Sequence, residues 1–151
     1  MDRNKLTIRQ FIRLLPVALL AFVGRLFGQS SGSFASAYKP YDVISTFIGV
    51  PPNSQTICLV TLARTLNFPA NFANSVGSCG TNPTATATLT VYKNGVSVGT
   101  VSISTSGVFS FSTSGAIQFN AGDILSVVTQ PSADATLANI SVSLAGLRQG
   151  V

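Results

Sequence analysis

The stretch "VYKNGVSVGTVSI", residues 91–103, decides the fold. Asn94-Gly95 is the strongest short hairpin signal, because a two-residue type I′ turn needs positive φ at both central positions. Such a turn pairs Lys93 with Val96, Tyr92 with Ser97 and Val91 with Val98. Continued without interruption, it sets Leu89 against Thr100 and turns Val101 and Ile103 to the wrong side, since strand side chains alternate with a period of two. One extra residue restores the phase. If Gly99 and Thr100 together oppose Thr90 in a β-bulge, Leu89 meets Val101 and Ala87 meets Ile103. Gly99 is the residue type that a bulge tolerates best. Leu89, Val91, Val98, Val101 and Ile103 then form one buried face. Thr88, Thr90, Tyr92, Ser97 and Ser102 form the other, which carries hydroxyls and no charge.

Working outward, the rest of the chain beyond residue 41 reads as strands of the same kind. "YDVISTFIGV" is stopped by Pro51-Pro52. "SQTICLVTLARTLNF" carries one or two strands rich in Thr, Val, Leu and Ile. "GVFSFSTS" places Phe109 and Phe111 on one face and Ser110 and Ser112 on the other. "GAIQF" leads through "NAGD" to "ILSVVTQ", and "ANISVSLAGLR" closes with Ile140, Val142 and Leu144 on one face. Short, evenly spaced strands separated by Gly, Asn, Asp and Pro predict an antiparallel, jelly-roll-like β-sandwich over residues 41–151.

Residues 29–40, ending "SSGSFASAYKP", are rich in Ser, Gly and Ala and read as a linker. Residues 1–28 read differently. Ile8, Phe11, Ile12, Leu15, Leu19, Phe22, Val23 and Leu26 recur at spacings of three and four, which is helical periodicity, with Arg9 and Arg13 off that stripe. Pro16 kinks this helix or starts a second one, and Gly24 and Gly28 are terminators. Three roles compete. A signal peptide would end near "ASA" at 35–37. A membrane helix needs about 20 apolar residues, twice the uninterrupted run present. An anchor would bury the apolar surface against other protein chains, and this is the favoured expectation.

Composition narrows the function. Of 151 residues, 46% are hydrophobic and only 9% charged, against about 25% charged in an ordinary domain. Ser, Thr, Asn and Gln must cover the surface instead, and such side chains suit packing beside identical neighbours. The net charge of +5 is unevenly placed. Arg3, Lys5, Arg9, Arg13 and Arg25 fall in the first 25 residues, opposed there only by Asp2. Lys39, Arg64, Lys93 and Arg148 are scattered through the rest, so no basic stripe points to nucleic acid. The chain holds no His, no Trp and no Glu; its carboxylates are Asp2, Asp42, Asp123, Asp134 and the C-terminus. General acid–base chemistry and Ser-His-Asp catalysis lack their usual residues, and no catalytic role, cofactor or metal is expected. Cys58 and Cys79, 21 apart, match no metal or redox spacing. They are either one disulfide or two small side chains, one in a strand and one in a loop.

The longest irregular stretch expected is "FPANFANSVGSCGTNP", residues 68–83. Phe72 with Asn71 and Asn74 makes a candidate contact set for a glycan or a subunit, and Tyr92 on the outer hairpin face is another candidate. The alternative is a structural loop with Phe68 and Phe72 as plugs.

Taken in order, "RTLNFPANFANSVGSCGT", "TLTVYKNGVSVGTVSIS" and "FNAGDILSVVTQPSADATLANISVSLAG" resemble a small β-domain of bacteriophage tail-fibre and other virion proteins. The matching positions are Pro69 to Gly77, Lys93 to Thr100, Phe119 to Leu125 and Asp134 to Arg148, within about residues 60–148. The resemblance implies a non-enzymatic virion structural protein, most naturally a homotrimer. It would be a short fibre displaying its β-domain for host attachment, or a cement or decoration protein on a capsid. Its expected partners are its own copies, other virion proteins through the N-terminal helix, and a host-surface glycan. A secreted or membrane-tethered glycan-binding protein is the remaining alternative.

Overall fold

The computed structural model describes residues 38–149. The anchor expected over 1–28, with Ile8 to Leu26 and Arg9 and Arg13, lies outside the described residues. Ten strands run in chain order: β1 Tyr38–Phe47, β2 Thr56–Thr61, β3 Leu66–Phe68, β4 Val76–Thr81, β5 Ala87–Lys93, β6 Val96–Ile103, β7 Phe109–Thr113, β8 Ile117–Phe119, β9 Ile124–Thr129 and β10 Ala138–Gln149. They form two antiparallel five-stranded sheets. The first has the order β1-β10-β3-β8, with β4 also paired to β10, and the second β2-β9-β5-β6-β7. The pairs nest: β1 lies on β10, β2 on β9 and β3 on β8.

β1 begins three residues before the expected boundary. Tyr38, Lys39 and Pro40 of the expected linker pair with Gln149, Arg148 and Leu147. Pro40 donates no backbone hydrogen bond, and β1 is the outermost strand of its sheet, where a proline is tolerated.

The two inner faces share one core. Val43, Ile140, Val142, Leu144, Leu66, Phe68 and Phe119 come from the first sheet. Leu89, Val91, Val101, Ile103, Leu125, Val127 and Cys58 come from the second. Phe68 is its aromatic centre, edge-on to Phe119 at 5.4 Å and to Phe72 at 5.7 Å between ring centroids. Each such pair contributes about 0.5–1.5 kcal/mol beyond area burial. Buried hydroxyls are satisfied: Ser45 Oγ donates to the Ile57 carbonyl at 2.6 Å, and Thr129 Oγ1 donates to the Pro52 carbonyl while accepting from Gln55 N–H.

In the opening hairpin, Asn94 and Gly95 have φ of 50° and 81°, the two positive values a type I′ turn requires. Leu89 faces Val101 and Ala87 faces Ile103. The register shift, however, lies one residue nearer the turn than expected. Val91 faces Gly99 and Thr90 faces Thr100, while Tyr92 faces Ser97, so Val98 is the extra residue. The reason is spatial. A Cβ on Gly99 would stand 2.7 Å from Phe72 Cε2 and 2.8 Å from the Ser112 carbonyl oxygen. Gly99 makes room for the Phe72 ring and for β7, and the bulge moves to Val98.

The expected irregular stretch 68–83 is also more ordered than its composition suggests. It contains a 3-10 turn at Ala70–Phe72 and the strand β4. Cys79 accordingly sits in a strand, and both cysteines are free thiols.

Candidate functional site

Each half of β10 borrows a different partner along one edge. β4 pairs with Ala138 through Ser143, and β3 pairs with Leu147 and Arg148. Between them, at residues 144–146, the edge loses its strand partner, and the chain detours through residues 69–75. Asn71, Phe72 and Asn74 have φ of 55°, 45° and 69°. Asn adopts this left-handed conformation readily, but for a bulky residue such as Phe it is strained. The strain is offset by burying the Phe72 ring completely. The turn is then fastened on both sides. Asn71 N–H donates to Thr113 Oγ1 at 2.7 Å, and Thr113 N–H donates back to Asn71 Oδ1 at 3.1 Å. Ala145 N–H donates to Ser75 Oγ at 2.8 Å, supplying the bond that the missing strand would have made.

The detour borders a cleft of about 400 Å³, which falls within the usual range for small-molecule sites. One wall is Pro69, Ala73 and Asn74 from the turn; the other is Pro40 and Asp42 from β1. Its floor is Ala145, Gly146 and Leu147 of β10. Asp42 faces Ala145 and Pro40 faces Leu147 in register, opposite in parity to the buried Val43 and Leu144, so the cleft opens on the outer face of the first sheet.

The carboxylates of the described domain divide by use. Asp123 Oδ1 accepts from Asn94 Nδ2 at 2.7 Å, and Oδ2 accepts from Asn120 N–H and lies 3.2 Å from Lys93 Nζ. The Asn94 amide, then the Asn120 N–H and the Lys93 ammonium, hold its pKa below the ordinary carboxylate value. Asp134 is a hub. Oδ1 accepts from Thr136 Oγ1, Thr136 N–H and Leu137 N–H, and Oδ2 from Thr84 Oγ1, Thr84 N–H and Ala85 N–H. The Thr136 and Thr84 hydroxyls lead in holding its carboxyl well below the usual range. Both groups fasten turns. Asp42 has no hydrogen bond or ion pair among the described residues. Among those residues no group of three or more His, Cys, Asp and Glu is arranged to hold a metal ion.

The expected contact residues do not form one site. Phe72 is a core plug, fully buried, and its place in a surface contact set is corrected on that ground. The alternative expectation, a structural loop with Phe68 and Phe72 as plugs, is the one the structure shows. Asn71 is exposed, but its carbonyl oxygen is committed to Thr113. Asn74 lines the cleft, with no side-chain bond among the described residues. Tyr92 faces Ser126 and Ser97 on the outer face of the second sheet, away from Asn74. Asp42, Pro40 and Leu147 carry no motif; only the register of β1 on β10 brings them together.

No family model, characterised protein or solved structure matches this chain.

Proposed function

We propose that the chain is a non-enzymatic structural protein of a bacteriophage particle. The β-domain is displayed, residues 1–28 anchor it, and it assembles as a homotrimer. We read the nested pairing of its strands as jelly-roll connectivity.

One observation carries the reading: the outward surfaces of both sheets are almost free of charge. On the first sheet they comprise Ile44 and Thr46 of β1, Ser141, Ser143 and Ala145 of β10, and Val76 and Ser78 of β4, with Asp42 the single charge. On the second they include Leu59, Ile124, Ser126, Tyr92, Thr90, Ser102 and Ser110, with none. Ile44, Val76 and Leu59 are 67%, 64% and 70% exposed, a large apolar outlay for an isolated domain. Identical copies meet across a symmetry axis without like-charge repulsion when their faces are built this way. The motif residues support the same reading. Lys93, Asn94, Asp123 and Asp134 are spent on fastening turns, which is what a shared structural framework requires.

The test is the mass distribution of the full chain against a chain starting at Ser36, at micromolar concentration. The full chain is expected as trimers or larger species, and the truncated chain, which keeps both sheet faces, as soluble trimers. A full-length chain that stays monomeric contradicts the proposal.

A further inference from the structure

We propose that the cleft between β1, β10 and the 69–75 turn binds a neutral saccharide, with Asp42 and Asn74 as the polar contacts. This deepens the displayed-domain reading, on which it rests, by naming what the displayed surface takes.

The chemistry of the walls selects the ligand. Asp42 presents a carboxylate with no partner among the described residues, so it offers lone pairs to donors from outside. A pair of adjacent sugar hydroxyls matches a carboxylate's two oxygens. Asn74 adds both a donor and an acceptor, which suits hydroxyls that donate and accept in turn. Pro40, Pro69 and Leu147 give rigid C–H surfaces against which the apolar face of a pyranose rests, and Ala145 keeps the floor low. Among the described residues the lining holds no Lys or Arg, so phosphate and sulfate gain nothing there and are repelled by Asp42. Among the described residues it holds no aromatic ring, so a nucleobase has nothing there to stack upon. A single carboxylate falls short of the oxygen cage calcium requires.

The walls are also held before any ligand arrives. Phe72 is buried in the core, Asn71 and Thr113 bond reciprocally, and Ser75 is tied to Ala145. A wall so fixed loses little entropy when a ligand binds.

The experiment is an array of neutral bacterial oligosaccharides built from glucose, galactose, rhamnose and N-acetylglucosamine, probed with the full chain. Anionic capsular fragments on the same array serve as the contrast. The wild-type chain is expected to bind at least one neutral glycan. Asp42→Ala and Ala145→Leu are each expected to weaken that binding at least tenfold, and Ser110→Ala, on the outer face of the other sheet, to leave it unchanged. Asp42→Ala breaks no bond among the described residues, so its melting temperature should match the wild type and keep the comparison clean. Competition by the free sugar distinguishes recognition of the saccharide from recognition of a lipid to which it is attached.

No neutral glycan bound, or binding that survives Asp42→Ala, overturns the assignment. So does an Ala145→Leu variant that reduces the oligomer's mass, because the cleft is then a subunit contact. Finding the chain in purified particles while the array stays blank removes this inference alone; its absence from particles removes the displayed-domain reading instead.

Discussion

Asn94 Nδ2 donates to Asp123 Oδ1 at 2.7 Å, joining the turn of one hairpin to a turn 29 residues further along the chain. The contact is reinforced from both sides. Ile124 N–H donates to Asn94 Oδ1 at 2.8 Å, Asn94 N–H donates to the Ile124 carbonyl at 2.9 Å, and Lys93 Nζ donates to the Gln118 carbonyl while standing 5.4 Å from the centre of the Phe119 ring. The "KNG" and "AGD" segments are thus one clamp, closed on an ionised Asp123.

That clamp, with the Asp134 hub, makes stability sensitive to acid. Both carboxyls titrate lower in the folded chain than the roughly 3.9 of an unfolded Asp. Below that value the unfolded chain takes up protons first, so stability is lost as pH falls through the folded pKa values and is intact above about pH 5. Melting temperature measured from pH 7 to pH 2 should stay level and then drop steeply below about pH 4. Asp134→Asn should lower it at pH 7 and flatten the drop. An unchanged acid profile in that variant would contradict the role of the hub.

Phe72→Ala should act on folding and not on recognition. Removing a fully buried phenyl ring from a packed core costs about 3–5 kcal/mol. Urea denaturation should show a loss in that range. A variant as stable as wild type would mean that the ring is not a plug.

The two hairpin glycines should respond differently to alanine. At Gly95 the space is open but φ is 81°, so Gly95→Ala pays only backbone strain, about 1–2 kcal/mol. At Gly99 the added methyl meets Phe72, the Ser112 carbonyl and Thr113, and overpacking of this kind costs about 1–3 kcal/mol. Because the neighbours are shared, Gly99→Ala combined with Phe72→Leu should cost less than the sum of the two alone. Strict additivity in the cycle would contradict the packing of Gly99 on Phe72.

The thiols should separate in reactivity. Burial raises the Cys58 pKa, with a smaller opposing effect from its hydrogen bond with Ser45, so little thiolate is present near neutrality. Cys79 is only partly buried and lies 3.4 Å from Asn82 Oδ1. A disulfide reagent at pH 8 should modify Cys79 readily and Cys58 only on unfolding. Equal rates in the native protein would contradict the burial of Cys58.

These cases also show how much of the structure was legible in the sequence. The hairpin turn was, because Asn94-Gly95 leaves few backbone choices and the alternation on either side fixes the faces. The bulge was legible in kind but not in place. The pattern demands one extra residue between Ser97 and Val101, and the choice between neighbouring positions is made by Phe72 and Thr113, distant in sequence. β4, "VGSCGT", carried no strand pattern, since its small residues are held by backbone bonds to the edge of β10. The cleft was least legible. Its residues come from positions 40–42, 69–74 and 145–147, and nothing local in any of these segments announces the other two.

The central proposal is that this chain is a stoichiometric part of a phage particle, and its most direct test is quantitative mass spectrometry of virions purified from cells that produce the chain. The account predicts the chain in every preparation, at a copy number per particle that is a multiple of three. Virions that lack it, while the infected cell contains it, would contradict the account.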